Sequence, residues 1–107
     1  MREPNETQLS RKAGYLGIAQ KAGKIVAGDN LAKEALIKKK AELLVLANDA
    51  AQWVKDELIS LAEAESVPMV FWPDKTGLGL LVGKSPRGAL VVLDKGFAKA
   101  IVKVIGE

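Results

Sequence analysis

A chain of 107 residues with 49% hydrophobic content has the length of one domain and enough apolar side chains for a single core. It contains no cysteine and no histidine, which excludes a disulfide framework, thiolate metal sites and any Ser, His and Asp constellation, and makes an enzyme improbable on composition alone. The net charge of +3 and pI near 9.2 favour a polyanionic partner, while the lack of any apolar run near the roughly 18 residues of a membrane helix, or of a signal-peptide core in the opening MREPNETQLS, predicts a soluble cytoplasmic protein with no membrane partner.

Residues 1 to 6 are polar, and Pro4 and Asn5 predict an unstructured lead-in. Leu9, Ala13, Leu16 and Ala19 then recur at helical spacing, with Arg11, Lys12 and Lys21 toward solvent and Gly23 as the left-handed residue past the helix end. Lys24 to Ala27 is a brief apolar strand leading into Gly28. The stretch GDNLAKEALIKKKAELLVLANDA, from Gly28 to Ala50, organises the chain. Gly28 permits a sharp turn, Asp29 or Asn30 is placed to cap a helix, and Ala32, Ala35 and Leu36 form its inward set. Lys38, Lys39 and Lys40 close that helix where its dipole favours cations. Leu43 to Leu46 is a continuous apolar run, the pattern of a strand covered on both faces, ended by Asn48 and Asp49.

Asp49 is expected to cap a third helix with a stripe of Val54, Leu58, Leu61 and Ala62. A strand follows from Val67 to Trp72, with Pro68 near its start where a missing amide is tolerated. Pro73 to Gly77 reads as a turn, Leu78 to Val82 as a short helix, and Lys84 to Gly88 as a loop. Gly88 to Leu93 is another apolar strand, and Asp94 caps a last helix. In that helix Ala98, Ile101, Val102 and Ile105 face inward while Lys95, Lys99 and Lys103 line up four residues apart. Helices alternating with short apolar strands predict an α/β fold, a sheet sandwiched between helical layers. The loops Gly28 to Asn30, Asn48 to Ala50 and Pro73 to Gly79 then gather at one sheet edge, where such folds bind ligands.

Gly77, Gly79 and Gly83 with Lys84 and Ser85 fail as a phosphate-binding loop, because Leu78 stands where the first glycine is required. A dinucleotide fingerprint fails as well, so these glycines serve turns and close packing and no cofactor is expected. The lysines at the two helix ends are explained by dipole and solvation. Asp49, Asp74 and Asp94 are capping residues before they are metal ligands. Trp53, Trp72 and Phe97 have the chemistry to stack bases but sit in the core of most small domains; Trp72, beside a loop, is the best exception.

The stretches from Gly28 to Ala50, VPMVFWPDKTGLGLLVG, and ALVVLDKGFAKAIVKVI together resemble the kink-turn-binding family of ribosomal proteins L-seven-Ae and L-thirty-e, and its small bacterial members above all. The resemblance spans about Leu9 to Ile105 and implies a three-layer α/β/α sandwich with a four-stranded mixed sheet. It implies binding to RNA bent at tandem sheared G·A pairs. On the matching positions, Gly28 opens the recognition helix, with Asp29 in its first turn, Asn30 contacts the bent RNA, and Lys38 stands where arginine is common. Ala47, Asn48, Asp49 and Ala50 match the family's strand end, and Leu78 and Gly79 follow the loop, Pro73 to Thr76, that packs on the flipped-out nucleotide. Two base-reading positions depart from the pattern: Leu31 replaces glutamate or glutamine, and Glu34 replaces lysine, with Lys33 one residue earlier.

The expected function is therefore that of a non-enzymatic, monomeric, single-domain RNA-binding protein, associated with ribosomes or other structured RNA. Gly28 and Asn30 bring helix-start amides to the RNA, Lys33 and Lys38 supply charge, and Lys75, Thr76, Leu78 and Gly79 shape the adjacent loop. The alternative is a protein-interaction module on the same scaffold, with Leu31, Trp53 and Trp72 exposed together as an apolar patch.

Overall fold

The computed structural model describes residues 6–106, with side chains over 10–103. The elements are α1 (Glu6–Lys21), β1 (Ile25–Ala27), α2 (Asp29–Ile37), β2 (Leu43–Ala47), α3 (Gln52–Ala64), β3 (Met69–Trp72), α4 (Lys75–Leu81), β4 (Ala89–Val92) and α5 (Lys95–Gly106). This is the order expected from the alternation of helical and apolar patterns. The four strands form one mixed sheet in the order β1-β4-β2-β3, in which β2 and β3 are parallel and β4 is antiparallel to both β1 and β2.

Strand β2 is central and buried along its whole length, as its unbroken apolar run requires, and its side chains alternate between two cores. Leu43, Val45 and Ala47 join Leu16, Leu78, Val82, Ala98 and Ile101 on the face covered by α1, α4 and α5. Leu44 and Leu46 join Ala32, Leu36, Val54, Leu58 and Ala62 on the face covered by α2 and α3. The result is three layers, α2 and α3 over the sheet and the other helices beneath it. Burying roughly 1.5–3 kcal/mol per large apolar side chain on both faces is what holds the layers together.

The register fixes which ends meet. Ala47 pairs with Trp72, Leu46 with Ala89, and Ala27 with Leu90. The C-terminal ends of β1, β2 and β3 and the start of β4 therefore lie at one edge, and the loops to α2, α3 and α4, with the loop from α4 to β4, converge there.

Several expectations are corrected. Lys12 does not face solvent: it is 0% exposed, and its Nζ donates a 2.8 Å hydrogen bond to the Ile101 carbonyl of α5. Its position lies one turn before Leu16 on the stripe that packs against α5, so the aliphatic stem is absorbed into the core. Neither Asp29 nor Asn30 caps α2. The N-cap is Gly28, at φ 119 and ψ 151, a left-handed conformation that a side chain would strain. Asp49 does not cap α3, which begins three residues later with Ala51 as its N-cap. Helix α4 starts at Lys75 rather than Leu78, because Asp74 accepts a 2.6 Å bond from the Gly77 amide and draws the expected turn into the helix. Glu6 belongs to α1. The expectations for residues 1–5 and for the inward side chains of Leu9 and Ile105 lie outside what the structure describes.

Candidate functional site

At the converging edge the α2 N-terminus is held by the sheet. The Gly28 amide donates to the Ala89 carbonyl at 2.9 Å, and Ala32 is the first helical amide to bond back, to the Gly28 carbonyl, also at 2.9 Å. The amides of Asp29, Asn30 and Leu31 belong to the first turn, which has no intrahelical acceptors, and no side chain caps it. Their exposed donors and the positive end of the helix dipole make an electropositive tip. Asn30 is exposed on this tip and offers both a donor and an acceptor. Asp29 is turned aside: its Oδ1 is buried without a hydrogen-bond partner among the described residues, against Gly88, where an added Cβ would stand 3.1 Å from it.

The neighbouring loops are tied to one another. Asp49 Oδ1 accepts a 2.8 Å bond from the Lys75 amide, so the carboxylate expected to cap α3 satisfies the first turn of α4 instead, beside Asp74. The Asn48 amide bonds the Trp72 carbonyl and the Ala47 amide bonds the Gly88 carbonyl, both at 2.8 Å. Lys55 Nζ reaches back to the Asn48 carbonyl at 2.9 Å. The Arg87 amide donates to the Lys75 carbonyl at 3.1 Å, and its guanidinium folds onto the Ser85 carbonyl, the Ser85 hydroxyl and the Pro86 carbonyl. Gly79 makes room for this loop, since a Cβ there would overlap the Ser85 carbonyl oxygen.

The structure thus brings Gly28, Asp29, Asn30, Asn48, Lys75 and Thr76 to one edge. Leu78 and Gly79 belong to the same α4 segment but are buried, so they shape the loop from within rather than offering side chains. Lys33 lies one turn down α2 in an ion pair with Glu57 of α3 at 3.3 Å. Lys38 is the C-cap of α2, about 15 Å from Gly28 at 1.5 Å per residue, and is bonded to Glu34 at 2.6 Å. That hydrogen bond, then the Lys38 charge and more weakly Lys40, hold the Glu34 carboxyl below its usual range. Arg87 and Lys55 were not singled out by sequence; the Ser-Pro-Arg-Gly turn was the available signal for Arg87, read only as a loop.

Trp72 is 5% exposed and packs under the loops, so the patch of Leu31, Trp53 and Trp72 does not form. Leu31 is half exposed and Trp53 is 69% exposed. Phe97 packs partly buried against the core. Among the described residues no cluster of acidic side chains could hold a metal ion, and no helix is long and apolar enough to cross a membrane.

A small α/β/α sandwich that presents one helix tip and several linked loops at a single sheet edge is a binding scaffold. The chain belongs to the Ribosomal protein L7Ae/L30e/S12e/Gadd45 family, whose model matches residues 12–102. It is 28% identical to an RNA-binding protein, YlxQ, of Enterococcus faecium, over 94% of this chain and 97% of that protein. It is also 28% identical to the RNA-binding protein YlxQ of Bacillus subtilis, over 84% and 90% of the two chains. A Bacillus halodurans protein described as having unknown function superposes with a TM-score of 0.85 at 25% identity, over 91% of this chain and 98% of that one. The Giardia lamblia 15.5kD RNA binding protein shares the fold, with a TM-score of 0.80 at 23% identity over 99% and 91%.

Proposed function

We propose that this protein binds structured RNA without catalysing a reaction, as a cytoplasmic ribosomal or ribosome-associated factor acting as a monomer, and that it prefers RNA bent at tandem sheared G·A pairs. The observation that carries this is the uncapped first turn of α2, set at the edge where Lys75 and Arg87 also lie. Its free amides take a phosphate of the bent strand, Asn30 reads a base edge, and the Pro73 to Thr76 segment packs against an extruded nucleotide. Lys33 contributes once it exchanges Glu57 for phosphate, which is cheap because exposed ion pairs are worth only about 0–1 kcal/mol. The names of the two curated relatives support RNA as the ligand class.

The test is an equilibrium titration against a kink-turn RNA and a control whose G·A pairs are replaced by Watson-Crick pairs, at one stated salt concentration, with Glu34→Lys alongside. A preference of at least tenfold, about 1.4 kcal/mol, is expected, together with a log affinity against log salt slope of about −3 to −4 for roughly four phosphates. Glu34→Lys frees Lys38 and reverses a charge beside the site, and is expected to tighten binding and steepen the slope by about one or two. Equal weak binding to both RNAs would overturn the bent-RNA preference, and a slope near zero would overturn RNA binding itself.

A further inference from the structure

Trp53 is the most unusual side chain on this surface. A tryptophan normally buries most of its large apolar area, yet this one is 69% exposed in the first turn of α3. Among the described residues its indole N–H makes no hydrogen bond. Its core position is not vacant for want of space: Val54, the next residue, takes the buried place and packs with Leu58 and Ala62 against α2 and the sheet.

Its placement follows from register. Helices α2 and α3 both start at the loop edge and run in the same direction over the sheet. They are joined across their facing sides by the Lys33 to Glu57 ion pair at 3.3 Å. One turn nearer the loop edge on each helix, four residues earlier, stand Asp29 and Trp53. The starts of the two helices are brought close by Gly88, whose missing Cβ would sit 3.1 Å from Asp29 Oδ1 and 3.2 Å from the Ala50 Cβ. Trp53 therefore stands beside the α2 tip at the start of α3, which follows β2 and so lies between the α2 tip and the α4 start along the edge.

We infer that Trp53 is a stacking platform for a nucleobase adjacent to the one read at the α2 tip, making the α3 start a second nucleotide subsite. This rests on the RNA-binding function proposed above. An indole face accepts any base, which suits a subsite that adds affinity without reading sequence, and the free indole N–H can donate to a phosphate or ribose oxygen at the same time. A protein partner would also bury an exposed tryptophan, but the site lies beside the free amides of α2 rather than among other exposed apolar side chains, and a nucleotide satisfies both.

The experiment uses the full chain and a fluorescein-labelled kink-turn RNA. Binding is followed by the anisotropy of the label, and Trp53 by the intrinsic emission change that is present in the wild type and absent in Trp53→Phe. The expected result is an emission change on saturation, Trp53→Phe within about threefold of wild-type affinity, and Trp53→Ala about tenfold weaker, the order of one lost base stack. Both variants should melt with the wild type, because the side chain is exposed. If the RNA binds by anisotropy while Trp53→Ala matches the wild type and the emission is unchanged, the stacking platform is refuted and the RNA-binding function stands. If no protein shifts the anisotropy, the RNA-binding function fails and the subsite with it.

Discussion

Replacing Lys12 with methionine should make the protein more stable at neutral pH, although it removes a hydrogen bond. Lys12 is fully buried; among the described residues it donates only to the Ile101 carbonyl, and burial lowers its pKa from 10.5 to about 8. With a folded value below the unfolded one, the unfolded chain holds the proton more tightly across that interval. The stability this group contributes is complete above 10.5 and is lost as pH falls toward about 8, after which it stays lost. At about 1.4 kcal/mol per pH unit the loss is at most about 3.5 kcal/mol. Methionine fills similar volume with no ammonium to desolvate and forfeits one bond of about 1 kcal/mol. Lys12→Met should therefore exceed the wild type by about 1–2 kcal/mol at pH 7, and the advantage should close between pH 8 and 10.5. Urea unfolding followed by circular dichroism on both proteins at each pH gives the difference directly and cancels every contribution common to the two proteins. A difference that does not change with pH, or a variant less stable at pH 7, would refute the assignment of Lys12 as a buried ammonium that opposes folding.

Glycine-to-alanine changes should have opposite signs in two helices. In α4, Gly79→Ala drives a Cβ into the Ser85 carbonyl, with Ser85 C at 2.8 Å and Lys84 O at 3.0 Å, and should cost about 2–3 kcal/mol; in α1, exposed Gly14 has nothing within 4 Å of the same atom and alanine should gain about 0.5–1 kcal/mol, both read from thermal midpoints. Asp74→Ala and Asp49→Ala each leave a first-turn amide of α4 unpaired and should each cost about 1 kcal/mol in urea unfolding. Only the Asp49 variant should also speed hydrogen exchange at the Lys75 amide, since it alone lets the two loops part.

How far the sequence could be read depended on whether a signal was local. Ala32, Ala35 and Leu36 were legible as the inward face of α2, and Leu43 to Leu46 as a doubly covered strand, because periodicity and run length are properties of a few adjacent residues. Asp74 and Asp94 were legible as caps for the same reason. Asp49 was not, because its partner is 26 residues away across the sheet edge. Lys12 was not, because a lysine on an apolar stripe looks solvated until α5 is known to cover it, and Ile101 is 89 residues distant. At the site, Gly28 was legible as a special backbone position, whereas the role of Arg87 in bracing the loop needed the neighbouring chain in place.

The ion pairs along α2 decide where its charge can act. Lys33 is matched by Glu57 and Lys38 by Glu34, so these two lysines offer little unbalanced charge to a ligand. At the loop edge the uncapped first turn of α2 stands with Lys55, Lys75 and Arg87, which are tied to the neighbouring loops through the Asn48 carbonyl, the Asp49 carboxylate and each other. A polyanion drawn to this edge meets donors that need no reorganisation, and the two departures from the family pattern, Leu31 and Glu34, lie just inside it. Leu31 sits in the uncapped turn and presents a side chain with no hydrogen bond to give, so under the proposed function discrimination between bases falls to Asn30 and to the shape of the loop that Gly79 and Asp49 hold.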